Sequence, residues 1–226
     1  MTPHPEAAVP APSSGGPRRL DGHLLRAAVD ELAGRDPHLA EVRRRFGAPP
    51  LWARRPGFSA LVKIILEQQV SLASARAAFE RLRAAVDRLT PRAFLELDAV
   101  TLREVGFSRQ KAGYCRELAE EIVEGRLRLA ELARMDDADA RRRLTALRGV
   151  GRWTADIYLL MALGRPDVWP RGDLALAKAA QRVKGLPRVP NDVELAEIAA
   201  AWRPWRAVAA RLLWHDYLSR PRAPQG

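Results

Sequence analysis

The chain has 226 residues, 47% of them hydrophobic, enough for one compact core or two small lobes. Its formal net charge of +11, from 38 Lys and Arg against 27 Asp and Glu, favours a polyanionic partner, whether nucleic acid or a membrane surface. The single cysteine, Cys115, excludes a disulfide framework and any four-cysteine zinc or iron–sulfur site within the chain. The four histidines (His4, His23, His38, His215) are scattered without metal-ligand spacing. No apolar run reaches the roughly 18 residues of a membrane span, and the start of the chain lacks the apolar stretch of a secretory signal. A soluble protein in a reducing, cytoplasmic setting, with no membrane partner, is the expectation.

Residues 1–17, rich in Pro, Ala, Ser and Gly, read as a disordered tail. In LDGHLLRAAVDELA, apolar residues fall at Leu20, Leu24, Leu25, Val29 and Leu32, the spacing of one helical face. FSALVKIILEQQVSLASARAAFERLRAAV predicts two helices broken near Val70 and Ser71. Further helical patterns occupy 91–104, 109–124, 136–147, 152–163, 173–183, 191–201 and 204–218, punctuated by Gly106, Gly125, Gly149, Gly151, Pro166, Pro170, Gly185, Pro187 and Pro190. Alternating strand patterns are nearly absent. An all-α protein of about ten short helices is predicted, with a lobe boundary near 165–172.

The stretch LRGVGRWTAD, at 147–156, places Gly149 and Gly151 between two helical patterns. Glycine permits positive φ and close backbone approach, and a helix start presents unpaired N–H groups at the positive end of its dipole. On a basic protein that combination suits a nucleic-acid phosphate, gripped without reading a base. An ordinary helix–helix turn with glycine caps explains the same residues. Asp173, ahead of the pattern LALAKAAQRV, reads locally as a helix N-cap.

LRGVGRWTAD resembles the helix–hairpin–helix of the DNA base-excision glycosylase superfamily, with Arg148 where proline is usual. The resemblance implies a helix–hairpin–helix at 136–163. It implies a DNA phosphate held by Gly149, Val150, Gly151, Arg152 and Thr154. It also implies a monovalent cation (Na+ or K+) on the main-chain carbonyls of Thr145, Leu147 and Val150. Bifunctional relatives carry a lysine after GVGR for Schiff-base lyase chemistry; Trp153 stands there and cannot act as a nucleophile. The four-cysteine iron–sulfur branches are disfavoured by the single cysteine. Asp173 falls at the distance from the hairpin where the superfamily has its catalytic aspartate. A carboxylate there would stabilise an oxocarbenium-like sugar and orient or deprotonate the attacking water. Asp167 is the local competitor, without the helix context.

AWRPWRAVAARLLWHDYL resembles the C-terminal region of the 3-methyladenine DNA glycosylase II family. The family's base-stacking tryptophan falls on Trp214 and a second pocket aromatic on Trp153, while Ile157 and Leu174 stand where relatives have pocket tyrosines. An indole face suits a flipped purine made cationic by alkylation. Trp202 and Trp205 read as core. ILEQQVS resembles the family segment whose second glutamine position plugs the hole left by the flipped nucleotide, here Gln69; a solvent-facing helix end is the other reading. GFSRQKA resembles the family's second backbone contact, through Gly106, Ser108, Arg109 and Lys111, whereas Arg141–Arg143 read as a solvated face.

The resemblance covers roughly 55–220 and implies a short form without the family's N-terminal β-rich domain. Expected are a disordered tail at 1–17, N-terminal helices at 18–56 packing with the C-terminal lobe, a helical domain at 57–165 carrying the hairpin, and a C-terminal lobe at 166–226 carrying Asp173. The DNA cleft would lie between the two helical lobes. The expected activity is monofunctional excision of alkylated purines such as 3-methyladenine and 7-methylguanine by a monomer acting on damaged duplex DNA, and hence nucleoid-associated. Two alternatives stand beside it. One is the same scaffold acting on ethenoadenine, 1-methyladenine, hypoxanthine, uracil or an oxidised base. The other is a non-catalytic protein that binds DNA structures.

Overall fold

The computed structural model describes residues 18–220, and no strand occurs among them. The expected tail at 1–17 lies outside that range. Helix α1 (Gly22–Arg35) begins where the Asp21 carboxylate accepts from the Leu24 N–H at 2.7 Å. Helix α2 (Pro37–Phe46) follows at once, with Asp36 as its cap and Pro37 in its first turn. Both signals are local: a short acceptor satisfies the orphan donors of a first turn, and proline there forfeits no hydrogen bond.

The middle of the chain forms α3 (Phe58–Glu67), α4 (Leu72–Ala84), α5 (Pro91–Glu96), α6 (Ala99–Glu104), α7 (Arg109–Val123), α8 (Leu129–Leu132), α9 (Asp137–Thr145) and α10 (Arg152–Ile157). Helix α3 is central to this lobe. It buries Phe58, Ala60, Leu61, Val62, Ile64, Ile65 and Leu66 and packs against α4, α7 and α10. Such burial on nearly every side explains why its sequence is apolar almost throughout.

After α10 the backbone widens into a π-helical turn, Tyr158–Ala162, closed by the Leu163 N–H to the Tyr158 carbonyl at 3.1 Å. The C-terminal helices are α11 (Leu174–Lys184), α12 (Asp192–Ala200) and α13 (Arg206–Ser219). Helices α11 and α13 pack with α1 and α2, and α12 packs on α11 and α13, so the two ends of the chain build one lobe and the middle builds the other. Thirteen α-helices among the described residues exceed the ten expected. The pattern at 91–104 is two helices, because Asp98 caps a new start by accepting from the Thr101 N–H at 2.7 Å. Helix α8 has a single turn, too short for periodicity to reveal.

Buried polar contacts tie the terminal lobe together. Asp36 accepts from Lys184 Nζ and from Trp202 Nε1, each at 2.7 Å, while capping α2. Trp205 Nε1 donates to Glu31 at 2.7 Å, and both indoles are core, as their sequence context suggested. Arg211, 1% exposed in α13, donates to the carbonyls of Leu51, Ala207 and Leu160, joining the lobes at their seam. Burial pushes its pKa down to about 10. No helix among the described residues is long and apolar enough to cross a membrane.

Candidate active site

An open cleft of about 820 Å³ lies between the lobes. It is lined by the α3–α4 turn (Gln68, Gln69), the α9–α10 hairpin (Thr145 to Thr154) and the start of α11 (Gly172, Asp173, Leu174). Asp173 caps α11: its Oδ1 accepts from the Leu176 N–H at 2.9 Å. Its other oxygen, Oδ2, accepts from Trp153 Nε1 at 2.9 Å, and Trp214 Nε1 reaches Oδ1 at 3.4 Å, a longer and weaker contact. The cap and the site residue are one carboxylate. Three N–H donors from α10, α11 and α13 fix its rotamer at the wall of the cleft. The approach to Asp173 is held as well, because Asp192 accepts from the Gly172 N–H and from Arg171. The competitor Asp167 is occupied elsewhere, paired through both oxygens with Arg206 at 2.8–2.9 Å.

In the hairpin, Gly149 has φ +78°, and a Cβ on it would lie 2.1 Å from Cγ of Tyr114. Only glycine fits there, for two separate reasons. Gly151 is different: its φ is −76°, its ψ is 177°, and nothing stands within 4 Å of an added Cβ. The fold does not require a glycine at that position. The N–H groups of Arg152, Trp153 and Thr154 open α10 without intrahelical acceptors, and Trp153 and Thr154 line the cleft. Val150 does not join them, since its N–H donates to the Leu147 carbonyl at 3.1 Å and the residue is 3% exposed. The expectation that Val150 grips a phosphate is corrected on that ground.

Several other expectations change. Ile157 is 2% exposed, packs in the core and does not line the cleft, so it is not a pocket wall. Leu174 does line the cleft, 62% exposed at its mouth. Trp214 is 7% exposed, packs T-shaped on Trp52 with ring centroids 6.5 Å apart, and is not among the residues lining the cleft. No motif singled out Trp52.

Lys111 points inward: its Nζ donates to the carbonyls of Leu66 at 2.8 Å and Gln68 at 2.7 Å, and burial pulls its pKa down. Two of the three ammonium donors of Lys111 are therefore spent inside the protein. Ser108 caps α7 and Arg109 stands exposed beside it, while Gly106 (φ +104°) packs against Ala78 and Arg81 of α4. Those three stand apart from the cleft lining.

Arg141 is not part of a solvated face. It bonds Asp156 at 2.6 Å across the hairpin, and Asp156 is fully buried. Burial pushes the Asp156 carboxyl up, opposed by Arg141 and by Arg152, whose guanidinium is 3.6 Å away. Glu67, also in the cleft lining, pairs with Arg54 at 2.8 Å.

Gln69 is exposed at the tip of the α3–α4 turn with φ +54°. Beside it, the Gln68 amide donates to the Gly149 carbonyl and to the Thr154 hydroxyl, both at 2.9 Å. Sequence reasoning missed Gln68 and Tyr114. The QQ pair in the motif was a signal for the first; nothing local marked the second. Neither lysine nor cysteine is among the described residues lining the cleft. Its chemistry is therefore that of a fixed carboxylate facing an open, basic-protein groove.

Residues 62–205 match the model of the HhH-GPD superfamily base excision DNA repair proteins. The chain is 32% identical over 187 residues to a putative DNA-3-methyladenine glycosylase, YfjP, of Bacillus subtilis, covering 79% of this chain and 65% of that protein's length. It is 28% identical to DNA-3-methyladenine glycosylase 1 of Schizosaccharomyces pombe over 71% of this chain and 72% of the relative. Among solved structures, the fold superposes on the Schizosaccharomyces pombe 3-methyladenine DNA glycosylase (Mag1) in complex with abasic DNA with a TM-score of 0.74 at 26% identity. That match covers 83% of this chain and 95% of Mag1.

Proposed function

This chain belongs to the HhH-GPD superfamily of base excision DNA repair proteins, and we propose that within it the chain is a monofunctional DNA glycosylase that hydrolyses the N-glycosidic bond of alkylated purines. The carrying observation is Asp173, held by Trp153, Trp214 and the Leu176 N–H at the wall of the cleft that the hairpin shares. The relatives named as 3-methyladenine DNA glycosylases support the substrate class.

The hairpin N–H groups grip one strand's phosphate, and the damaged nucleotide turns out of the duplex toward Asp173. Alkylation leaves the purine cationic and already a good leaving group. As the bond to the sugar lengthens, positive charge grows at the anomeric carbon. A carboxylate whose orientation is fixed beforehand stabilises that charge without having to reorganise. Lone pairs of the carboxylate left free by the three donors then orient the incoming water. Water is the nucleophile because Trp153 occupies the position from which a lysine would attack.

The protein acts on duplex DNA as a monomer. Thr145, Leu147 and Val150 line the cleft at the hairpin, and the Leu147 carbonyl keeps one lone pair beyond its bond to Val150. Their carbonyls would hold a monovalent cation, which would add positive charge beside the gripped phosphate.

The test is Asp173→Asn. Release of 3-methyladenine and 7-methylguanine from alkylated duplex should fall by about 10²–10³-fold or more, with duplex affinity near wild type. Undiminished release by the variant would refute the assignment of Asp173, and absence of release by the wild-type protein from any damaged duplex would leave a DNA-binding protein.

A further inference from the structure

The turn between α3 and α4 is held from two sides. The chain leaves the helix at Gln68, where ψ is 125°, so the carbonyls at the end of α3 lose their intrahelical partners. Lys111 of α7 donates to two of them, those of Leu66 and Gln68. The Gln68 side chain, in turn, spends both N–H bonds of its amide on the hairpin, at the Gly149 carbonyl and the Thr154 hydroxyl. Between these anchors Gln69 adopts φ +54°, a left-handed conformation disfavoured by its Cβ. Such a conformation persists where its surroundings over-determine it, and it is concentrated at functional sites.

We propose that Gln68 and Lys111 are positioning residues that lock residues 68–70 in the shape presenting Gln69 to the DNA, so that the phosphate-gripping hairpin and the inserting side chain form one rigid unit. The inference rests on the reading of the chain as a base-extruding glycosylase. Its physical content is pre-organisation: once the hairpin holds a phosphate, Gln69 is already aligned and little ordering remains. The geometry also reassigns the lysine. Its ammonium serves the backbone of its own protein, not the phosphates of the DNA.

The test uses the full chain and a duplex carrying a tetrahydrofuran abasic-site analogue with 2-aminopurine opposite it. Fluorescence of the 2-aminopurine then reports insertion without requiring base release. The wild-type protein should change that fluorescence, and Gln69→Ala should abolish the change. Gln68→Ala and Lys111→Met should each lower the population of the inserted state by about tenfold, the loss expected for bonds of this kind. Affinity for undamaged duplex should stay within about twofold of wild type, with an unaltered salt slope.

Full insertion by both variants would overturn the proposal, as would lowered melting temperature with insertion unchanged. A salt slope smaller by about 0.9 in Lys111→Met, with weaker binding to every duplex, would make Lys111 a phosphate contact instead. If Lys111→Met does not fold, Gln68→Ala, at a half-exposed position, decides the matter. Wild-type protein that inserts Gln69 but releases no base would refute the glycosylase reading and leave the positioning role standing.

Discussion

Alanine at Gly149 and alanine at Gly151 should behave as opposites, although the two positions are equivalent in the motif. At Gly149 the new Cβ meets Tyr114 at 2.1–2.7 Å, and the residue must hold φ +78°. The left-handed conformation costs about 1–2 kcal/mol for a residue with a Cβ. Displacing the Tyr114 ring adds about 1–3 kcal/mol of overpacking strain. The ring cannot move without loss, because the Arg148 guanidinium lies 5.7 Å from its centroid and Gln110 donates to its hydroxyl at 2.7 Å. A total near 3 kcal/mol corresponds to a melting temperature about 6–12 °C lower for a chain of this size.

Gly151→Ala meets nothing in the protein and needs no unusual φ, so its melting temperature should stay within about 2 °C of wild type. On the proposed phosphate grip, a methyl added beside the start of α10 would obstruct the phosphate. Affinity for duplex DNA should therefore fall by about tenfold, equally for all sequences, since backbone donors read no base. Thermal unfolding followed by circular dichroism, with fluorescence anisotropy on several unrelated duplexes, measures both quantities. Unaltered affinity in Gly151→Ala would refute the phosphate grip, and melting depressed as in Gly149→Ala would refute the reading of the hairpin's packing.

Trp153→Phe keeps an aromatic ring but removes the 2.9 Å donor to Asp173. Single-turnover base release should slow by about tenfold with duplex affinity unchanged. Trp214→Phe should slow it less, since its contact is 3.4 Å; a larger effect would indicate that the ring itself contacts the base. Arg141→Met strips the fully buried Asp156 of its 2.6 Å partner and should destabilise by about 3 kcal/mol in calorimetry. Loss of less than about 1 kcal/mol would show that Arg152 suffices.

Asp36 gives a pH signature. Burial pushes its carboxyl up, but hydrogen bonds from Lys184 and Trp202 and the charge of Lys184 outweigh that and hold it below its ordinary value of 3.8. A depressed folded value means stability present above the unfolded pKa and lost as pH falls through the folded one. Asp36→Asn should be less stable than wild type at pH 7, with the gap closing in melts below about pH 3.8. A constant gap would exclude the ionised carboxylate as its cause.

What was legible in the sequence was local or carried by a motif. Apolar periodicity, Asp caps and Pro at a first turn act within a few residues, so the helical class and most helix starts could be read directly. Asp173 could be read twice over, as a cap and, by resemblance, as a catalytic carboxylate. The break at Asp98 and the widening after Ile157 escaped because neighbouring patterns run through them without a change of period.

The tertiary structure decided how the same residue types are spent. Lys111 looked free for phosphate until α3 brought two orphan carbonyls to it from 43 and 45 residues away. Arg141 looked solvated until the hairpin closed it on Asp156, and Ile157 looked like a pocket wall until the packed helices buried it in the core. Gly149 and Gly151 are the same letter in one motif, and only the folded backbone, with φ +78° and the Tyr114 ring at the first, distinguishes them. Composition and periodicity specify which groups a chain possesses. Which of those groups remain available to a ligand depends on partners distant in sequence, whose positions are fixed only when the helices pack.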